Sequence, residues 1–178
     1  MTVEITIEMG DITTFEADAI VNSANRSLQK GSGICKTIFE KAGEAELKTV
    51  LQGYDELAVG AAMITPGFKL KAKHIIHTVT PKYLPFQREN AQLLAQCYVS
   101  ILDLAMQHNL QSVVIPCLGV GHHMWPLKLS SCIAIDTIFW NKDKLDKMQK
   151  IAIVCFTNEQ YEVYSQYLHA KEEVTFNV

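Results

Sequence analysis

A chain of 178 residues with 48% hydrophobic side chains is long enough to bury one substantial core and too short for two ordinary domains, so a single domain spanning residues 1–178 is expected. A net charge of -3 and a pI near 6.1 supply no global positive field, which counts against non-specific nucleic-acid binding. Five cysteines, at 35, 97, 117, 132 and 155, are odd in number and not closely paired; this counts against a disulfide framework or a four-thiolate zinc site.

The N-terminus, Val3 to Met9, alternates as a strand does and lacks the basic start and apolar run of a signal peptide. No apolar stretch reaches the roughly 20 residues of a spanning helix, and the expected setting is soluble and cytoplasmic, without membrane partners. A short apolar strand follows at Ala19 to Val21. Residues 34–41 carry apolar side chains at helical spacing with Gly43 as a C-cap, and Glu44 to Leu51 repeats the pattern. Ala61 to Thr65 and His74 to Val79 read as strands, the second bounded by Thr80-Pro81. The longest helical pattern, Glu89 to His108, lines up Leu93, Leu94, Cys97, Tyr98, Ile101, Leu102 and Ala105 on one stripe. Ser112 to Cys117 is a buried strand, and Pro126 suits the first turn of a helix reaching Trp140. Lys142 to Lys150 is a charged surface segment; Ile151 to Phe156 is the last strand and Glu159 to Leu168 the last helix. Interleaving of this kind predicts an α/β fold with a mostly parallel sheet and helices on both faces.

In open sheets of this class ligands bind beyond the carboxyl ends of the strands. Two glycine-bearing segments follow buried strands and precede helices: residues 22–35, and Pro116 to Pro126 with Gly119-Val120-Gly121-His122-His123 between them. Gly10-Asp11-Ile12-Thr13, then Asn22 and Asn25, then Gly31-Ser32-Gly33, place amides and bare backbone where a strand hands over to a helix. Oriented N–H donors and a helix dipole there favour phosphate, and side-chain amides suit ribose hydroxyls.

These strings resemble the macrodomains, the ADP-ribose-binding family, along essentially the whole chain. Gly10-Asp11-Ile12 followed by Ala19-Ile20-Val21-Asn22-Ser23-Ala24-Asn25 is similar to the family's opening signature; Ile75-Ile76-His77-Thr78-Val79 with Pro81, and Pro116 to Pro126, match further stretches. The resemblance implies a three-layer α/β/α sandwich with a mixed, largely parallel sheet, and ADP-ribose in a cleft. It implies that Asp11 accepts from the adenine amine, that the Ile12 backbone seats the ring, and that Phe156 lies beside it. Asn22, Ala24, Gly31 and Ser32 fall within the binding segment. Gly33-Ile34-Cys35 is implied to wrap the distal ribose and phosphates, and Gly119 to His123 to close over the diphosphate. Asn25 matches the asparagine on the distal ribose, and Trp125 falls where the family has an aromatic near that ribose.

One position departs. In the hydrolytic branch an aspartate stands ten residues beyond the asparagine, where this chain has Cys35, and a thiol is a poor substitute for a carboxylate as general base. Gly33-Ile34-Cys35-Lys36-Thr37-Ile38-Phe39 nonetheless resembles the alphavirus macrodomains, which carry cysteine there and are hydrolytic. The run His122-His123-Met124 also differs from the usual loop. Plainer roles stand beside these: Asp11 as a turn former, Asn22 as loop support, Cys35 as a buried spacer, His77 as a satisfied structural residue, Trp125 and Phe156 as core, and the paired histidines as loop surface or a pH-sensitive lid. His74 and His77 point to opposite faces of a strand and cannot share one metal, and no cofactor or metal is expected.

Three functions follow from the resemblance. One is an enzyme cleaving at the distal ribose, removing ADP-ribose from acidic side chains of ADP-ribosylated proteins or acetyl from O-acetyl-ADP-ribose, with Asn25, Gly33 and Cys35 at the reaction centre. Another is a reader of ADP-ribose that performs no chemistry. The third, against which the acidic balance weighs, is a binder of poly-ADP-ribose or single-stranded RNA.

Overall fold

Runs such as Ile151-Ala152-Ile153-Val154 are apolar on both faces and must lie between two covering layers. In the computed structural model, which describes residues 3–176, they do. The described strands are β1 (Glu4–Met9), β2 (Ala19–Ser23), β3 (Ala62–Pro66), β4 (His74–Thr78), β5 (Ser112–Pro116) and β6 (Lys150–Cys155), and the described α-helices are α1 (Gly33–Ala42), α2 (Glu44–Leu51), α3 (Arg88–Gln107), α4 (Leu127–Trp140) and α5 (Asn158–Phe176). One mixed sheet has the order β1-β6-β5-β2-β4-β3. All neighbours are parallel except β3, which closes one edge antiparallel to β4.

Strand alternation divides the core in two. Ile151, Ile153 and Cys155 face a cluster built with Leu94, Tyr98 and Ile101 of α3, Ala134, Ile135 and Ile138 of α4, and Tyr164 of α5. Ala152 and Val154 face the opposite cluster, with Cys35, Ile38 and Phe39 of α1 and Leu47 and Leu51 of α2. The three-layer α/β/α architecture therefore has three helices on one side and two on the other.

β2 and β5 are adjacent and parallel. The chain leaving β2 turns to the face covered by α1, while the chain leaving β5 turns to the face covered by α4. Loops that diverge from neighbouring parallel strands leave a crevice at their carboxyl ends. At the other end of β2, Asp18 holds the strands together: its Oδ2 accepts from Gln111 N at 2.7 Å and Ser112 N at 3.1 Å, and Lys73 Nζ lies 2.7 Å from Oδ1.

Most element ends shift by one residue from the sequence reading, and the end of the last helix by more. Pro126 is the N-cap of α4, with ψ of 133°, one place before the first helical residue. The last helix continues past Leu168 to Phe176, where Ala170-Lys171-Glu172-Glu173 are good helix formers and Lys171 Nζ bonds Asp136 Oδ1 of α4 at 2.7 Å. Among the described residues no helix is long and apolar enough to cross a membrane.

Candidate functional site

The crevice between the diverging loops is a cavity of about 650 Å³, within the range that holds a nucleotide-sized ligand. Asp11, Ile12, Val154, Phe156 and Gln160 line it at and beyond the ends of β1 and β6; Ala24, Asn25 and residues 31–35 line it beyond β2; Pro116, Cys117 and residues 119–123 line it at and beyond the end of β5. Gly10, Ser23, Thr37 and, just past β4, Thr80 also line it.

Asp11 is set by the turn that follows it. Its Oδ1 accepts from Thr13 N at 2.9 Å and Thr13 Oγ1 at 2.7 Å, capping a short 3-10 turn over residues 12–14. An ionised carboxylate has further acceptor capacity on its second oxygen. Phe156 stands 81% exposed at the cavity's edge. It shares strand parity with Ala152 and Val154, on the α1 face, and its backbone N donates to Gln160 Oε1 at 2.8 Å.

The segment between β2 and α1 is organised by Asn25. Its Oδ1 accepts from Ser27 Oγ and Gln29 N, both at 3.0 Å, and its Nδ2 donates to Gln29 O at 2.8 Å. A primary amide has two N–H bonds, so one remains for a ligand. A Cβ on Gly31 would stand 3.4 Å from Asn25 Nδ2 and 3.5 Å from Cys35 Sγ, so this glycine's bare backbone separates the two side chains. Gly33 begins α1 with φ of +55°, and a Cβ there would meet nothing within 4 Å. The N-cap of α1, Ser32, makes no side-chain bond to its own helix. Its Oγ lies instead 3.0 Å from His122 Nε2, bridging the two loops. The first-turn amides of α1 thus lack a side-chain cap, an arrangement suited to an anion.

The opposing loop is shaped by Gly119, whose φ is +83° and whose added Cβ would stand 2.5 Å from Trp125 Cδ1. Trp125 turns away from the cavity: it is buried, its Nε1 donates to Pro81 O at 2.8 Å, and its ring meets Tyr83 edge-on at 5.2 Å. Asn22 also lies behind the lining. It is fully buried, its Nδ2 3.1 Å from His77 Nδ1 and 3.7 Å from Cys35 Sγ. His77 Nε2 meets Thr65 Oγ1 at 3.0 Å, and burial pushes the imidazole pKa down to about 4, keeping it neutral. The remaining sequence-selected residues, from Asp11 through Phe156, all reach the cavity.

A family model described as "Macro domain" matches residues 21–134. The chain belongs to the Macro domain family. It is 38% identical over 169 residues to a "Macro domain-containing protein" of Lactiplantibacillus plantarum, covering 94% of this chain and 98% of that protein. It is 36% identical to the "O-acetyl-ADP-ribose deacetylase" of Klebsiella pneumoniae, covering 94% and 98%. A variant of the Oceanobacillus iheyensis macrodomain solved with ADPR superposes with a TM-score of 0.88 at 32% identity, covering 94% of this chain and 92% of that one.

This macrodomain contains site residues that the sequence reading missed. Thr80 is buried, lines the cavity, and bonds His123 Nδ1 at 2.6 Å. Its signal was position alone, directly after a buried strand. Burial, with Lys82 and His122 nearby, pushes the His123 pKa down. Cys117 lies in the lining with its Sγ 3.4 Å from Cys155 Sγ; that proximity follows from the pairing of β5 with β6, which residue spacing does not reveal.

Proposed function

We propose that this macrodomain binds ADP-ribose and hydrolyses bonds at its distal ribose, releasing ADP-ribose from acidic side chains of modified proteins or acetyl from O-acetyl-ADP-ribose. The observation that carries the reading is the cavity at the β2/β5 divergence, with a carboxylate at one end, an amide at the other and uncapped helix amides between. The family membership and the deacetylase name of a relative support it.

In this reading Asp11 accepts from the adenine amine while Phe156 covers the ring. The amides of Gly33 to Cys35, at the positive end of α1, and those of Gly119 to Gly121 hold the diphosphate. The free N–H of Asn25 donates to a distal ribose hydroxyl and fixes the sugar. Residues 33–35 form the catalytic loop, and a substrate phosphate held against it orients the attacking water. Water gives its hydroxyl to the centre that loses the ester bond; the leaving carboxylate or ribose oxygen takes up a proton.

The test pairs calorimetric titration with ADP-ribose and incubation with a protein mono-ADP-ribosylated on glutamate. Binding with release of ADP-ribose is expected. Asn25→Ala is expected to lower turnover by about 100-fold, equivalent to about 2.7 kcal/mol of transition-state stabilisation, with a smaller loss of binding. Unchanged turnover in that variant would remove Asn25 from the reaction. A second reading, a binder without chemistry, is favoured by Cys35 alone: its thiol is buried against Asn22 and Gln29 O, and no carboxylate stands in its place. Binding without release would select it.

A further inference from the structure

An ADP-ribosylated protein leaves the cavity from the distal ribose, so its chain must cross the surface at that end. Two loops meet there. Tyr83 N donates to His123 O at 2.7 Å, and Trp125 Nε1 to Pro81 O at 2.8 Å. These bonds fasten the 81–87 segment to the 119–126 loop directly beside Thr80 and His123 of the lining. Each loop then presents a large apolar side chain to solvent: Phe86 is 102% exposed and Met124 73% exposed, with Leu84 also exposed two residues before Phe86 in the first loop.

Both outward residues are held in left-handed backbone, with φ of 75° at Phe86 and 60° at Met124. Bulky side chains avoid this region, and such outliers persist where the surroundings impose them, commonly at functional sites. Lys82 within this segment and Arg88 just after it are exposed. The two loops thus present apolar side chains close in sequence to the bond that joins them at the cavity's edge, Tyr83 N to His123 O, with Lys82 and Arg88 exposed before and after Leu84 and Phe86 and Glu89 exposed beside Arg88.

We propose that Leu84, Phe86 and Met124 form the docking rim for the protein part of an ADP-ribosylated substrate. Its modified segment crosses above Thr80 and His123, with an apolar side chain on the rim and carboxylates beside Lys82 and Arg88. This rests on the hydrolase reading above and names the substrate class of that site: protein-linked ADP-ribose, recognised beyond the nucleotide itself.

The test uses the double variant Phe86→Asn and Met124→Asn, because asparagine tolerates left-handed backbone and neither residue lines the cavity. The KM for a protein mono-ADP-ribosylated on glutamate is expected to rise at least about fivefold, equivalent to about 1 kcal/mol, while the Kd for free ADP-ribose stays within about twofold. If the wild type binds that protein without turning it over, its Kd replaces the KM in the comparison. An unchanged value for the modified protein overturns the rim. Equal losses for modified protein and free ADP-ribose also overturn it, because the loops would then be acting on the nucleotide. Concentration-dependent dimerisation of the wild type that the double variant abolishes would assign the surface to a second copy of the chain instead. Absence of ADP-ribose binding in the wild type would overturn the functional reading and the rim with it, whereas binding with an indifferent rim would overturn the rim alone.

Discussion

Replacing Gly119 by alanine tests the geometry of the loop that closes the cavity. Its φ of +83° is in the left-handed region, and the new Cβ would stand 2.5 Å from Trp125 Cδ1 and 3.0 Å from Cγ. The indole cannot easily withdraw, since it is buried and tethered to Pro81 O at 2.8 Å. The backbone term is about 1 kcal/mol and overpacking in a tight core about 2 kcal/mol, giving about 3 kcal/mol. With a urea m-value of about 2 kcal/mol/M, the unfolding midpoint falls by about 1.5 M. Repeating the substitution in a Trp125→Leu background removes the clash and leaves the backbone term, so the cost there should shrink to about 1 kcal/mol. Equal costs in the two backgrounds, or a loss below about 0.5 kcal/mol in the wild-type background, would refute the packing argument. ADP-ribose affinity measured on the same proteins should fall by about tenfold or more in Gly119→Ala, because the amides of residues 119–121 move with the loop.

Asp11→Ala removes both the turn cap and the acceptor proposed for the adenine amine; it is expected to cost about 1 kcal/mol of stability and at least about tenfold in ADP-ribose affinity. Asp11→Ser keeps a cap oxygen for Thr13 N, so calorimetry should show the affinity loss while urea unfolding shows little change; full affinity in the serine variant would end the adenine assignment. His77 gives a pH signature. Its folded pKa of about 4 lies below the ordinary imidazole value of 6.5, so the unfolded chain binds the proton first as pH falls. Stability is therefore complete above pH 6.5 and declines toward pH 4 by about 3 kcal/mol. His123, also shifted down, contributes with the same sign. Urea unfolding of His77→Gln should show a flatter slope in that window; an identical slope would contradict the burial argument.

Much of the cavity lining was legible because chemistry and chain position coincide. Asp11, Asn25, Gly33 and Gly119 are residue types that anion and ribose recognition require, and each follows the end of a strand. In a parallel sheet those ends share one rim, so linear order is enough to bring them together. What spacing could not supply is direction. Trp125 is one residue from Pro126 and near the ribose end in sequence, yet the left-handed turn at Gly119 sends its indole inward beneath Tyr83 and Pro81. Phe156 follows five buried residues of β6 and reads as a continuation of core; it emerges because its face of the sheet opens onto the cavity there. Asn22 and His77 are opposite each other in the β2–β4 register, and only that register identifies them as a buried pair under α1, behind the lining residues.

The same register bears on the position where a carboxylate was expected. Cys35 lies in the first turn of α1, buried, with Asn22 Nδ2 at 3.7 Å and Gln29 O at 3.8 Å on its sulfur. These are long contacts with one donor and one acceptor, and they place the sulfur as a filler between the His77–Asn22 pair and the cavity. Cys35→Ala should therefore cost about 1 kcal/mol for the small void and, on the proposed reading in which phosphate and backbone position the water, leave turnover within about threefold. Cys35→Asp is expected to behave differently: its carboxylate can accept from Asn22 but meets the carbonyl of Gln29, so burial costs about 2 kcal/mol or more unless the side chain turns into the cavity. Urea unfolding and turnover measured together separate the cases. A stable Cys35→Asp protein with faster release would show that a general base was limiting. A drop beyond about 30-fold in Cys35→Ala at unchanged ADP-ribose affinity would make the thiol a participant in the chemistry and would refute its assignment as a spacer.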